Sequence, residues 1–323
     1  MKLQDLKDIA VIGSGTMGPG IALDFAKYGC NVRLCARRQA SLDSAQKVIH
    51  ANLLTLVKHD LVKAEDVAKI ESRVTYFLSI PDAVRGAQMV VECINEKKDP
   101  KRELFKQLDQ LCGPDTIFGS LTGYLNIFEL VPENRVPNTL VTHWFAPPHI
   151  LPLVEVVRET RTNPETEKLV MDLLWAMGKV PVLMKKYVPG HAINRILRII
   201  GREVFFLLDN GYMTADQLDL AIKASIAPRM CLLGVVQRYD FTGLDLSAGN
   251  LRLENYPEPG IDNAPKSLVE RVAKGYLGAK TGKGFFDYSD KPLEQTLAER
   301  DDNMIRILKA VDFCMRTTPK LAD

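Results

Sequence analysis

The sequence predicts an α/β protein, with a doubly wound, mostly parallel sheet in its N-terminal half followed by an all-helical C-terminal domain. Three observations predict it. Residues 7–20, KDIAVIGSGTMGPG, run from an apolar strand straight into glycines at 13, 15 and 18. Short apolar runs then alternate with stretches of helical periodicity as far as residue 185. From His191 onward the pattern is helical.

Each element has its own warrant. Ile9 to Ile12 suit a buried strand, and Gly13 allows the tight turn that follows. Gly15 lets backbone approach a pyrophosphate, and Gly18 lets the next helix pack closely, with Ile21, Ala22, Phe25 and Ala26 at helical spacing. Ser14, Thr16 and Met17 complete a turn whose free N–H groups and helix dipole would receive phosphates. A second strand is expected at 31–36, after Tyr28-Gly29-Cys30. Helical stretches follow at 41–58 and 64–70. Strands are expected at 75–76, 89–93, 116–120, 140–145 and 153–157, the last two flanking a turn at Pro147-Pro148, and a further strand ends near Lys185. The composition changes at Val188-Pro189-Gly190, which places a dinucleotide-binding domain at 1–187 and a helical substrate and dimerisation domain at 188–323. Ile193, Ile196, Leu197, Ile200, Val204, Phe205 and Leu208 form an apolar stripe that Gly211 ends. That is more apolar surface than a small domain buries alone, so a homodimer through this domain is expected. The proline-bearing run at 256–260 reads as a loop.

The end of the second strand should choose the nucleotide. NAD sites usually place an acid ~20 residues past the fingerprint, where it binds the adenosine ribose. This chain has Ala36, followed by Arg37 and Arg38. Their planar guanidinium groups match a 2′-phosphate, so NADP is expected over NAD. The alternative is that the two arginines form a solvated loop face.

A formal net charge of +2 over 323 residues, with no basic stripe, gives no field for nucleic acid. No apolar run reaches bilayer length and the first residues lack a signal-peptide core, so no membrane partner is expected. These features suit a cytoplasmic enzyme with a small-molecule substrate. Cys30, Cys35, Cys93, Cys112, Cys231 and Cys314 form no C-x-x-C pair. Most sit in apolar surroundings, which suits reduced core thiols, with neither a metal site nor a thiol nucleophile indicated.

A second constellation carries chemistry. THWFAPP at 142–148 ends a strand on His143, and LVEVV at 153–157 sets Glu155 among apolar neighbours, where a carboxylate needs a partner. A Glu–His pair would fix the imidazole tautomer and make a general acid/base. Spacing alone leaves open a core histidine and an unrelated glutamate.

Five ordered motifs bear on that choice: GSGTMGPGIA, VVECINE at 90–96, HWFAPP with PLVEVV, PGHAINR at 189–195 and KTGKGFF at 280–286. Together they resemble the 3-hydroxyacyl-CoA dehydrogenase family over nearly the whole chain. The resemblance implies a Rossmann-type first domain and hydride transfer between a nicotinamide cofactor and the 3-hydroxy or 3-keto position of an acyl-CoA. It implies that His143 is the acid/base, that Glu155 orients it, and that Asn194 hydrogen-bonds the reacting oxygen. It further implies that Glu96 and Lys101 contact the ribose and nicotinamide end of the cofactor, and that Lys280 approaches from the second domain. The chain departs from the family pattern after the fifth strand, where a usual S-N-T-S is Ser120-Leu121-Thr122-Gly123. Ala146 stands where an asparagine is expected, and Asn52 and His59 stand at positions expected to hold CoA. Either Ser120 or Thr122 compensates for the missing hydroxyl at 123, or the substrate differs. A free 3-hydroxy acid, as in carnitine and gulonate dehydrogenases, or a non-catalytic nucleotide-binding relative are the alternatives.

Overall fold

In the computed structural model, which describes residues 2–253 and 258–316, the first apolar run lies at the centre of a sheet. Strand β1 (Asp8–Ile12) is buried along Ile9 to Ile12 and pairs in parallel with β2 (Asn31–Cys35) on one side and β4 (Met89–Glu92) on the other. A continuous apolar run is what a strand covered on both faces requires. Helix α1 (Gly18–Tyr28) starts on the fingerprint and stops at Gly29, whose φ of 114° carries the chain back. Outward from β2 come α2 (Gln39–Lys58), α3 (Val67–Glu71), β3 (Val74–Phe77) and α4 (Ile80–Val84), whose N-terminal Ser79 caps it through Asp82 N–H.

In the other direction β4 leads into α5 (Lys98–Leu111), β5 (Ile117–Ser120), β6 (Thr139–Trp144), β7 (Leu153–Val157), α6 (Pro164–Ala176) and β8 (Val180–Met184). The sheet order is β3-β2-β1-β4-β5-β6-β7-β8. Its direction of winding reverses between β1 and β4, and the cleft beyond the strand ends at such a reversal is where α/β sheets bind ligands. The sheet is parallel through β6, but β7 runs antiparallel to β6, with β8 parallel to β7. The alternating pattern predicts the parallel part. The reversal arises because the short 145–152 connection is a turn that returns the chain directly, whereas a parallel pair needs a longer crossover.

Phe25, Leu53 and Leu173 pack one face of the sheet, and Phe105, Leu108, Ile127 and Val136 the other. Lys179, at the start of β8's approach, sits 2.5 Å from both Asp24 of α1 and the Pro148 carbonyl, with its ammonium 5.0 Å from the Trp144 ring centre. Burial alone would raise the Asp24 carboxyl, but the Lys179 charge holds it below its ordinary value. Cys30 and Cys35 are buried thiols, and burial pushes both up to about 11.

The chain forms two compact units, 1–195 and 196–323. The division falls later than the composition change at 188, because residues 190–193 hydrogen-bond back onto the sheet: Gly190 N–H to Gly123 O, and the Ala192 and Ile193 N–H groups to Glu155. Helix α7 (Ile193–Asp209) crosses this division. The second unit continues with α8 (Ala215–Ala221), α9 (Ala227–Leu233), α10 (Gln237–Thr242), α11 (Leu244–Asn250), α12 (Lys266–Ala273) and α13 (Leu293–Met315). Within it the Arg271 guanidinium lies 3.9 Å from the centre of the Phe285 ring, and Ser267 N–H caps α12 on Asp209. Tyr256 and Pro257 of the expected 256–260 loop lie outside the described residues. No described helix is long and apolar enough to cross a membrane.

Candidate active site

The fingerprint glycines each meet a different demand. Gly13 has φ +117°, and a Cβ there would lie 2.5 Å from the Cys93 carbonyl oxygen, so any side chain collides with the end of β4. A Cβ on Gly18 would lie 1.9 Å from Gly13 O. Around Gly15, by contrast, nothing lies within 4 Å, which leaves its face open to a ligand. These turns border a cavity of about 1080 Å³ that includes Gly13, Ser14, Gly15, Ala36, Arg37 and Arg38. Asn95, Lys97, Pro100 and Gln107 close it from the β4–α5 side, and motif reading did not single them out. An open glycine face, a helix N-terminus formed by Thr16 to Gly18 and a cavity of this volume fit a dinucleotide. Lys280 lies in the second unit, in the single turn Ala279–Thr281.

Strand pairing brings His143 and Glu155 together. His143 and Glu155 are direct cross-strand partners on β6 and β7. His143 Nδ1 donates to Glu155 Oε2 at 2.9 Å, because an ionised carboxylate can only accept. The imidazole Nε2 therefore carries the free lone pair. It faces Gly123, where a Cβ would lie 3.3 Å from Nε2 and 3.1 Å from Asn194 Nδ2. An oxygen bound there could lose a proton to Nε2 while accepting a hydrogen bond from the Asn194 amide.

Glu155 is 1% exposed. Burial alone would raise its carboxyl, but the His143 hydrogen bond and the Ile193 and Ala192 N–H groups at 3.0 and 2.9 Å outweigh it, leaving a lowered value. The two N–H groups are free donors at the start of α7, and the helix dipole adds to their effect. A lowered folded-state value means that folding favours the ionised form, so this stabilisation is present above the ordinary carboxylate range and is lost as pH falls through the lowered value. Glu155→Gln is therefore expected to flatten the loss of stability between neutral and strongly acidic pH. Urea unfolding of both proteins across that range checks it, and identical pH slopes would contradict it.

A second buried network lies beside this pair. Lys101, 1% exposed, donates to both oxygens of Glu92 at 2.6 and 2.7 Å and lies 3.3 Å from Glu96. Ser120, opposite Glu92 on β5, donates to Glu92 Oε2 at 2.5 Å. Thr122 donates its hydroxyl to Glu96, whose Oε1 also accepts the Gly123 and Tyr124 N–H groups. Burial would raise the Glu96 carboxyl, but these donors and Lys101 lower it. Both hydroxyls that could compensate for the bare position 123 are thus committed to carboxylates. The Lys101 ammonium is enclosed by Glu92 and Glu96.

Sequence reading missed Glu92, Tyr187 and His191 as parts of the site. His191 is fully buried at φ 49°, with Nε2 2.9 Å from Thr122 O and its ring 5.3 Å from that of His143. Burial, together with the nearby His143, lowers its value, which keeps it neutral near pH 7. The Tyr187 hydroxyl donates to Tyr124 O at 2.6 Å. A non-glycine residue directly after Gly190 in a turn was the available signal for His191, but nothing local links it to residue 122.

Comparison with known proteins is consistent along the chain. Residues 8–187 match the family model described as 3-hydroxyacyl-CoA dehydrogenase, NAD binding domain, and residues 190–288 match its C-terminal domain. The chain is 30% identical over 308 residues to 5-formyl-3-hydroxy-2-methylpyridine 4-carboxylate 5-dehydrogenase of Mesorhizobium japonicum, covering 95% of this chain and 99% of that protein. It is 31% identical over 288 residues to 3-hydroxybutyryl-CoA dehydrogenase of Clostridioides difficile, covering 87% and 99%. A crystal structure of the pyridine-carboxylate 5-dehydrogenase, described as an NAD+-dependent dismutase, superposes with a TM-score of 0.85 at 28% identity, covering 95% of this chain and 99% of that one.

These findings correct the expectation of NADP. The matched domain is NAD-binding, and the similar structure is of an NAD+-dependent enzyme. Arg37 and Arg38 are exposed on the cavity rim. Solvated guanidinium groups need no phosphate to balance them, and two adjacent arginines in a sequence do not reveal how far water reaches them.

Proposed function

This chain belongs to the 3-hydroxyacyl-CoA dehydrogenase family, NAD-dependent dehydrogenases of a CH–OH group, and on that premise we propose that it oxidises or reduces a free, ring-bearing alcohol or aldehyde. The observation that carries the catalytic part is the buried His143–Glu155 pair, with Nε2 open toward Gly123 and the Asn194 amide. In the oxidative direction His143 Nε2 accepts the hydroxyl proton and Glu155 stabilises the imidazolium that forms. Asn194 Nδ2 holds the substrate oxygen against Nε2. Bound at the glycine turn, NAD supplies a hydride acceptor. An aldehyde offers the same CH–OH group as its hydrate.

The Gly13–Gly18 turn and the Arg37 and Arg38 rim hold the cofactor in this reading, with Glu96 toward its ribose and Lys101 behind Glu96. The free ring is supported by the end-to-end likeness to the pyridine-carboxylate dehydrogenase and by the commitment of Ser120 and Thr122 to carboxylates. A second reading, the 3-hydroxyacyl-CoA thioester, is favoured by the likeness to 3-hydroxybutyryl-CoA dehydrogenase.

A homodimer through the helical unit is part of the proposal. Among its described residues the buried apolar side chains are Leu218, Pro265, Ile305 and Cys314, while Val236, Phe241 and Leu251 are more than 70% exposed. So small a core does not stabilise a unit of that length alone.

The test is initial rates with NAD+ or NADH on 5-formyl-3-hydroxy-2-methylpyridine-4-carboxylate, 3-hydroxybutyrate and acetoacetyl-CoA. The ring substrate is expected to give the highest kcat/KM. Faster turnover of acetoacetyl-CoA would favour the thioester, and NADH binding without turnover of any would favour a non-catalytic relative.

A further inference from the structure

Three residues beside His143 have all their backbone polar groups held. Thr122 N–H donates to Ser120 Oγ at 3.3 Å, and Thr122 O accepts from His191 Nε2 at 2.9 Å. Gly123 N–H donates to Glu96 Oε1 at 3.1 Å, and Gly123 O accepts from Gly190 N–H at 3.1 Å. Tyr124 N–H donates to the same Glu96 oxygen at 3.0 Å, and Tyr124 O accepts from the Tyr187 hydroxyl at 2.6 Å. The clamps come from Ser120 on β5, from the β4–α5 connection and from residues 187–191. A glycine usually brings freedom, but the backbone at 123 has none to use. Its missing side chain is therefore a fixed opening.

That opening lies where the reacting carbon must go. A Cβ at 123 would lie 3.3 Å from Nε2 and 3.1 Å from Asn194 Nδ2, tighter than nine in ten Cβ contacts in folded proteins. A substrate oxygen shared by those two nitrogens brings its own carbon, and that carbon's substituents, against the bare Cα. A flexible methylene can rotate away from a side chain there. A ring bonded directly to the reacting carbon cannot, because its ortho positions are fixed in the plane.

We propose that Gly123 is the specificity-determining position of this site, its clamped, side-chain-free Cα admitting a planar ring bonded directly to the reacting carbon. The proposal rests on the free-ring reading and deepens it. Glu96 and His191 act as positioning residues, holding the peptide that forms the opening.

The experiment measures kcat/KM of wild type, Gly123→Ala and Gly123→Ser, with NADH affinity measured by fluorescence as the check on folding. The probes are the ring aldehyde 5-formyl-3-hydroxy-2-methylpyridine-4-carboxylate with NAD+ and the acyclic aldehyde succinic semialdehyde with NAD+. With Gly123→Ser the ring-to-acyclic ratio is expected to fall by about tenfold or more, with a smaller fall for Gly123→Ala. An acyclic rate that rises from undetectable counts as the same shift. An unchanged ratio in a variant that still binds NADH overturns the proposal, as does an equal fall for both probes. If Gly123→Ser loses NADH binding, Gly123→Ala decides alone. A wild type that does not turn over the ring substrate sinks the free-ring reading, and this proposal with it. Wild-type turnover with an insensitive ratio sinks the proposal only.

Discussion

Replacing His143 by alanine is expected to lower kcat by about 10²–10⁴-fold while leaving NADH affinity in place. The imidazole Nε2 is the free base beside the Gly123 opening, and Asn194 turns its amide NH2, a donor, toward it. The fold should tolerate the change, because Glu155 keeps the Ala192 and Ile193 N–H groups. Its stabilised carboxylate then has two donors instead of three. Glu155→Gln should also lower kcat, since an amide can donate to Nδ1 and so favour the wrong tautomer. Steady-state rates with saturating cofactor, read beside an NADH fluorescence titration, check both. A His143→Ala enzyme retaining a tenth of wild-type kcat would remove His143 from the proton transfer.

Lys101→Met is expected to be the most damaging single change to stability, costing about 3–5 kcal/mol. It leaves Glu92, which is fully buried, with Ser120 Oγ and Ile94 N–H as donors but no counter-charge. Any folded fraction should show a raised KM, because Glu96 loses its cation and the 122–124 clamp loosens with it. The double variant Glu92→Gln/Lys101→Met should recover much of the loss, since removing both charges removes the uncompensated one. Urea denaturation of the two variants checks this. If Lys101→Met unfolds at the wild-type midpoint, the buried pair is not holding this part of the sheet. A loss of NADH affinity at unchanged stability would instead place the ammonium on the cofactor.

The first strand, the glycine turn and the alternation of strands and helices were legible because each is written in consecutive residues. Burial on both faces demands an unbroken apolar run at Ile9 to Ile12, and a tight turn demands Gly13 whatever lies elsewhere. His143 and Glu155 were legible as candidates because a carboxylate among valines calls for a partner. Their pairing became a fact only through the antiparallel register of β6 and β7. Arg37 and Arg38 misled because charge is visible in a sequence and solvation is not.

Local geometry and short-range patterning were enough for the α/β class, the dinucleotide turn and the candidate acid/base residue types. Tertiary structure alone decided which groups are already occupied. It buried Lys101 between two glutamates, committed Ser120 and Thr122 to carboxylates, and held the 122–124 backbone with partners from Glu96, Tyr187, Gly190 and His191. The physical reason is that a polar group's availability depends on every donor and acceptor brought near it in three dimensions, and those neighbours are distant in the chain.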